Sequence, residues 1–127
     1  MAVKFLSEEW AQELERRLNE HEAFLAALGE QRIEILNVID APEGEVRYWI
    51  SIADGRVTLG VGDRPGAGAT ISQSYDTAAA LARSRLNAVS AFMTGQIRIA
   101  GNMMALMGLQ SALSHLPAVM HEIDTDY

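Results

Sequence analysis

The residues able to hold a metal or move a proton are few. The sequence contains three histidines, His21, His115 and His121, and no cysteine. His115 and His121 are six positions apart, which puts them on different faces of a helix, and no third ligand accompanies them at a known spacing, so no zinc site is indicated. The lack of cysteine excludes disulfide scaffolds, thiolate metal sites and thiol nucleophiles. Ser114 and His115 are adjacent, and neighbours on a helix point apart, so they are not a nucleophile and its base. No G-x-S-x-G elbow is present. The single lysine, Lys4, lies in the N-terminal stretch, which leaves Schiff-base and pyridoxal chemistry without its usual nucleophile. Gly60-x-Gly62 and Gly66-x-Gly68 are not followed by Gly-Lys-Ser/Thr and open no helix after a strand, so they are turn and edge glycines. The expectation is no catalytic set, no metal and no cofactor.

The unusual residue is methionine. Five of the six, Met93, Met103, Met104, Met107 and Met120, fall in one C-terminal stretch. On the last predicted helix Leu106, Leu109, Leu113, Leu116 and Met120 make one apolar stripe, and Met103 and Met107 make a second beside it. One stripe suffices to pack against a sheet. The second leaves two readings open: a fully buried core helix, or the wall of an apolar cavity or subunit interface, where the soft, unbranched side chain adapts to variable shapes.

The elements that position these residues follow from periodicity. Ser7 can cap a helix whose first turn carries Glu8 and Glu9, the sign that suits its positive end. Trp10, Leu14, Leu18, Leu25 and Leu28, with Phe24 beside them, predict one helix running to Gly29, with Glu13 and Arg17 paired on its outer face. Three strands follow, Ile33–Ile39, Val46–Ala53 and Val57–Val61, separated by turns at Pro42-Glu43-Gly44 and Asp54-Gly55, the latter a strong hairpin signal. After a loop over 63–68, Ala69–Ser74 reads as a fourth strand. Asp76 is the expected cap for a helix over Thr77–Arg83, and a short helix from about Leu86 to Met93 follows. Gln96–Ala100 is a fifth strand between Gly95 and Gly101, and Asn102 caps a final helix to about Leu116, where Pro117 ends or kinks it. This order predicts one α+β domain over residues 1–127, a mostly antiparallel five-stranded sheet with helices packed on one face.

Composition bounds the function. A chain of 127 residues with 49% hydrophobic content has enough length for a real core, burying a little under ~70% of its unfolded surface. Residues 1–45 carry four basic against eleven acidic residues, residues 46–121 six against three, and 122–126 add three acids, for a net charge of −7. An acidic chain repels phosphate backbones and anionic lipid surfaces, so nucleic-acid binding and electrostatic membrane docking are not expected. No apolar run approaches the ~20 residues of a membrane span, and Met1–Leu6 is too short and too little apolar for a secretory signal. The expected compartment is the cytoplasm.

One segment carries a family likeness: Ala69-Thr70-Ile71-Ser72, Tyr75-Asp76, Leu81, Leu86-Asn87, then Ala91-Phe92-Met93-Thr94-Gly95-Gln96-Ile97-Arg98-Ile99-Ala100-Gly101-Asn102. It resembles the sterol carrier protein type 2 family of lipid-transfer domains, which places a strand, an acidic cap, an Ala-Phe-Met-x-Gly turn, a Gly-to-Gly strand and a closing apolar helix in this order. Phe5-Leu6-Ser7-x-x-Trp10, Leu18-Asn19, Phe24 and the Asp54-Gly55 hairpin resemble short bacterial members. Two positions depart from the pattern. Ser84 stands where the family usually has Gly, worth roughly 1 kcal/mol if that residue is left-handed. Asn102 replaces Asp and caps equally well.

The resemblance implies an apolar tunnel between sheet and helices that accepts fatty acyl chains, sterol-like molecules or other lipids, with binding rather than bond-making as the mechanism. Met103 and Met107 would face it with Phe92, Met93 and the inward strand residues Ile35, Ile50 and Ile97; Met104, Leu106 and Leu113 complete the implied lining. Two other readings stand beside the carrier. One is an interaction module with a collapsed cavity, forming a homodimer through the Met-rich helix; the other is a small lipid-acting enzyme.

Overall fold

The N-terminal apolar stripe forms helix, but not one helix. A computed structural model, which describes residues 2–83, 85–86 and 88–127, divides the expected element into α1 (Glu8–Asn19) and α2 (Glu22–Leu28). Ser7 caps α1 as expected, its hydroxyl accepting from the Trp10 N–H at 3.2 Å. The break has two causes. Asn19 turns its side chain onto a strand, and His21 adopts extended backbone and caps α2, its Nδ1 accepting from the Phe24 N–H at 3.0 Å. Ser84 and Asn87 lie outside the described residues, and so does the expectation about a left-handed residue at 84.

The strand reading holds. After β1 (Val3–Lys4), the strands are β2 (Ile33–Ala41), β3 (Gly44–Ala53), β4 (Arg56–Val61), β5 (Ala69–Ser74) and β6 (Ile97–Gly101). Asp54 and Gly55 have φ of 55° and 70°, the pair of positive values that a two-residue type I′ hairpin requires. The five-stranded sheet has the order β4-β3-β2-β5-β6, antiparallel except for the parallel β2/β5 pair. A short β7 (Thr125–Asp126) pairs in parallel with β1, so the first and last strands meet, a contact that periodicity did not predict.

Three helical expectations are corrected. Ser74, not Asp76, caps α3 (Tyr75–Ala82): its hydroxyl accepts from the Thr77 N–H at 3.2 Å, and Asp76 sits in the first turn, where its charge still suits the helix end. The single closing helix is three: α5 (Met103–Gly108), α6 (Gln110–Leu113) and α7 (Leu116–Glu122), following α4 (Ala88–Met93). Pro117 begins α7 rather than ending a helix, because in a first turn its missing N–H has no partner to lose.

Strand alternation divides the sheet into two faces. Ile33, Ile35, Ile39, Ile50, Ile52, Val57 and Leu59 point to the helices and join Trp10, Leu14, Leu18, Phe24 and Leu28 in one core. The opposite face mixes polar and charged residues with Leu36, Val38 and Trp49, and bears the Glu34–Arg64 pair at 2.8 Å, with the Arg64 guanidinium 4.2 Å above the Trp49 ring.

Candidate functional site

The helical layer is not uniform over the sheet. α1 packs on β4, α3 lies over β2 and β5, and α4 borders β6. Over β2, β3 and β4 the inward side chains are nearly all closed off: Ile35, Ile39, Ile50, Ile52 and Val57 are buried. Toward the other edge Ile71, Gln73 and Ile99 are only half-buried. Small residues lie on this side: Ala69 on β5, Gly101 at the end of β6, and Ala78, Ala79 and Ala82 on the buried face of α3. Ala91 and Ile97 are buried apart from the main core.

A polar group stands where closed and open halves meet. In register across the sheet run Val61, Tyr48, Asn37, Ile71 and Ile99. Gln73 follows two residues beyond Ile71, diagonal to Asn37. Asn37 is 4% exposed, and its Nδ2 has no hydrogen-bond partner; neither has the buried Gln73 Oε1. Burial pushes the Tyr48 hydroxyl well above its ordinary range, so it stays neutral. The Trp10 ring meets Tyr48 edge-on at 5.3 Å, and its Nε1 is likewise buried without a partner. The inward side of this sheet bears no charged residue among those described, since its registers alternate with Glu34, Asp40, Glu45, Arg47 and Arg98 on the other face.

A profile of the SCP-2 sterol transfer family matches residues 11–114. The chain belongs to this family. Among solved structures it is similar to a crystal structure of sterol carrier protein 2, with a TM-score of 0.81, 25% identity and coverage of 94% of this chain and 99% of that one. A solution structure from Thermus thermophilus, described as a candidate sterol carrier protein, superposes with a TM-score of 0.80 at 23% identity, covering 98% and 93%. The apo form of sterol carrier protein 2 from Yarrowia lipolytica gives 0.64 at 19% identity, covering 85% and 99%. No curated protein sequence matches the chain. The α+β architecture expected from the sequence is that of the SCP-2 fold.

Within the SCP-2 fold the implied lining residues fall into two environments. Ile35, Ile50, Ile97 and Leu106 are buried, and Leu113 is half-buried against the core. Phe92, Met93, Met103, Met104 and Met107 are exposed, Met93 at 77% and Met104 at 79%. These five flank β6 in the chain: Phe92 and Met93 close α4 before it, and after it Met103 and Met104 open α5 while Met107 lies near its end. Asn37, Tyr48 and Gln73 were not among the implied lining. A signal for Asn37 existed, because a polar residue between Ile35 and Ile39 occupies an inward position of an alternating strand.

Elsewhere the chemistry-bearing residues have structural employment. The His21 and His115 rings lie 5.3 Å apart, and Ser114 Oγ donates to the Ser111 carbonyl at 2.6 Å, so Ser114 and His115 engage different partners. Among the described residues no three His, Asp or Glu side chains converge on a metal position. An open groove of about 520 Å³ between α1 and the chain ends is walled by Glu9, Glu13, Arg16 and Arg17, and the Glu13–Arg17 pair at 2.7 Å makes it an ionic surface cleft. No helix among the described residues is long and apolar enough to cross a membrane.

Proposed function

We propose that this chain binds a lipid-like apolar molecule over the β5–β6 half of its sheet, beneath the helices, and carries it through water without making or breaking a covalent bond. The observation that carries this reading is the exposure of five large apolar side chains in the two helices that precede and follow β6 in the chain, Phe92 and Met93 in α4 and Met103, Met104 and Met107 in α5. Large apolar side chains left in water beside a loosely covered sheet edge have a purpose when they guide and cover an apolar guest. The family supplies the class of guest, and the similar structures include sterol carrier proteins. Each square ångström of apolar ligand surface withdrawn from water contributes on the order of 25 cal/mol, and the pliable methionines accommodate guests of different outline.

Native mass spectrometry after gentle purification tests the reading: a carrier retains a lipid-sized mass, and alkyl compounds displace an environment-sensitive apolar dye from it. A protein that arrives empty and takes up neither dye nor lipid is not a carrier. The same exposed methionines favour one other reading, self-association through α5. Light scattering at micromolar concentration separates the two, since a dimer built on α5 dissociates in the Met104→Asp variant.

A further inference from the structure

We infer that Asn37 and Gln73 form a buried hydrogen-bonding subsite that takes the neutral polar group, a hydroxyl, of the bound apolar molecule. The assignment rests on the carrier reading and specifies which ligands it prefers. Two adjacent strands aim primary amides at the helical layer, and Asn37 Nδ2 and Gln73 Oε1 form no hydrogen bond within the protein. Buried polar atoms in folded proteins nearly always have partners, so an unpaired donor on one strand diagonal to an unpaired acceptor on the next marks a place for a third group between them. The complement is specific. Asn37 presents a free N–H and Gln73 a free carbonyl oxygen, and a hydroxyl both accepts and donates. A carboxylate can accept from Asn37 but meets the Gln73 oxygen with like polarity. No cation among the described residues of the inward face compensates its charge, and burying an unpaired ion is expensive. Tyr48, opposite Asn37 in the register, packs its ring edge-on against Trp10 and brings no charge to this face. The apolar body of such a ligand would extend over Ile71 on β5 and Ile99 on β6.

The test compares 1-dodecanol, dodecane and dodecanoate at pH 8 as competitors of one apolar dye, in the wild type and in Asn37→Leu and Gln73→Met. In the wild type 1-dodecanol competes better than dodecanoate. Asn37→Leu weakens 1-dodecanol on the order of tenfold, the worth of one or two buried hydrogen bonds, and leaves dodecane unchanged. Gln73→Met, at a half-buried position, repeats the result should the first variant fold poorly. Equal 1-dodecanol binding by wild type and both variants, with dodecane still binding, overturns the subsite and leaves the carrier standing; the amides then hold only water. A wild type that binds none of the three overturns both.

Discussion

The Asn19 side chain holds both backbone groups of Val57: its Nδ2 donates to the Val57 carbonyl at 2.8 Å, and its Oδ1 accepts the Val57 N–H at 3.0 Å. Two residues on, the Leu59 N–H donates to Glu15 Oε1 at 2.7 Å. β4 is an edge strand, and an unpaired edge is a template for another chain. α1 closes that edge with side chains that imitate a neighbouring strand. It thereby clamps the helical layer over the β4 side, while the β6 side stays more open.

Asn19→Leu removes both bonds and leaves the buried side of Val57 unsatisfied, so it should destabilise the fold by about 1–3 kcal/mol. Thermal unfolding reads this as a fall in Tm. Asn19→Asp, which keeps the acceptor and loses the donor, should lie between the two. A melting temperature unchanged in Asn19→Leu would show that α1 is held by its apolar stripe alone.

Gly60 leaves room for an indole. A Cβ there would stand 2.3 Å from Trp49 Cζ2, so Gly60→Val must swing the ring out from under Arg64. Trp10 is wholly buried, so the change in tryptophan emission should come from Trp49 and be a shift to longer wavelength. Displacing the ring should also lower stability by about 1–3 kcal/mol. Emission identical to the wild type would refute the packing described.

Gly101 is more demanding, because backbone rather than side chain stands in the way. At φ +98° a Cβ would lie 2.5 Å from the Gly68 carbonyl oxygen and 2.9 Å from the Ala69 Cα. Gly68 O already accepts from the Asn102 N–H at 2.8 Å. Gly101→Ala should therefore cost about 3 kcal/mol or more, strain and overpacking together, and chemical denaturation should show it.

Hydrogen bonds from Arg16 and Arg17 hold the Glu13 carboxyl below its ordinary value of 4.5. A lowered folded-state value means stabilisation that is complete above the unfolded value and lost as pH falls through the folded one. Stability should therefore decline as the medium is acidified below about 4.5, and Glu13→Gln should lack this part of the decline. The effect should stay under about 1 kcal/mol, since the pair is partly solvated, and shrink in high salt. Denaturant midpoints measured across pH for both proteins decide it.

Met107 is 66% exposed and Leu109 is wholly buried, two positions apart in the same apolar run. Met107→Asp should change stability by no more than about 0.5 kcal/mol, whereas Leu109→Asp buries an unpaired carboxylate and should unfold the protein. Under the carrier reading, Met107→Asp nevertheless weakens dye and lipid uptake. Undiminished uptake would remove Met107 from the ligand's contacts.

Local signals carried much of the architecture. The alternation of Val46, Tyr48, Ile50 and Ile52 and the Asp54-Gly55 turn correspond to observed strands and hairpin. What failed was continuity. The stripe from Trp10 to Leu28 does not reveal that Asn19 bonds across the fold to Val57, and the stripe from Leu106 to Met120 does not show that Pro117 starts a helix. Periodicity reports which residues share a face. It is silent where a long-range hydrogen bond competes with the next helical turn.

The candidate site divides the same way. Residue order alone determined that the chain lacks cysteine and a G-x-S-x-G elbow, that its C-terminal part is rich in methionine, and that its strands and helices follow the SCP-2 order. Only the tertiary structure decided that Met103, Met104 and Met107 meet water, that α1 seals one sheet edge, and that Asn37 and Gln73 face the helices on neighbouring strands, each with an unpartnered polar atom. The reason is physical: side-chain identity is local, whereas exposure and hydrogen-bond satisfaction depend on which distant segments cover a residue.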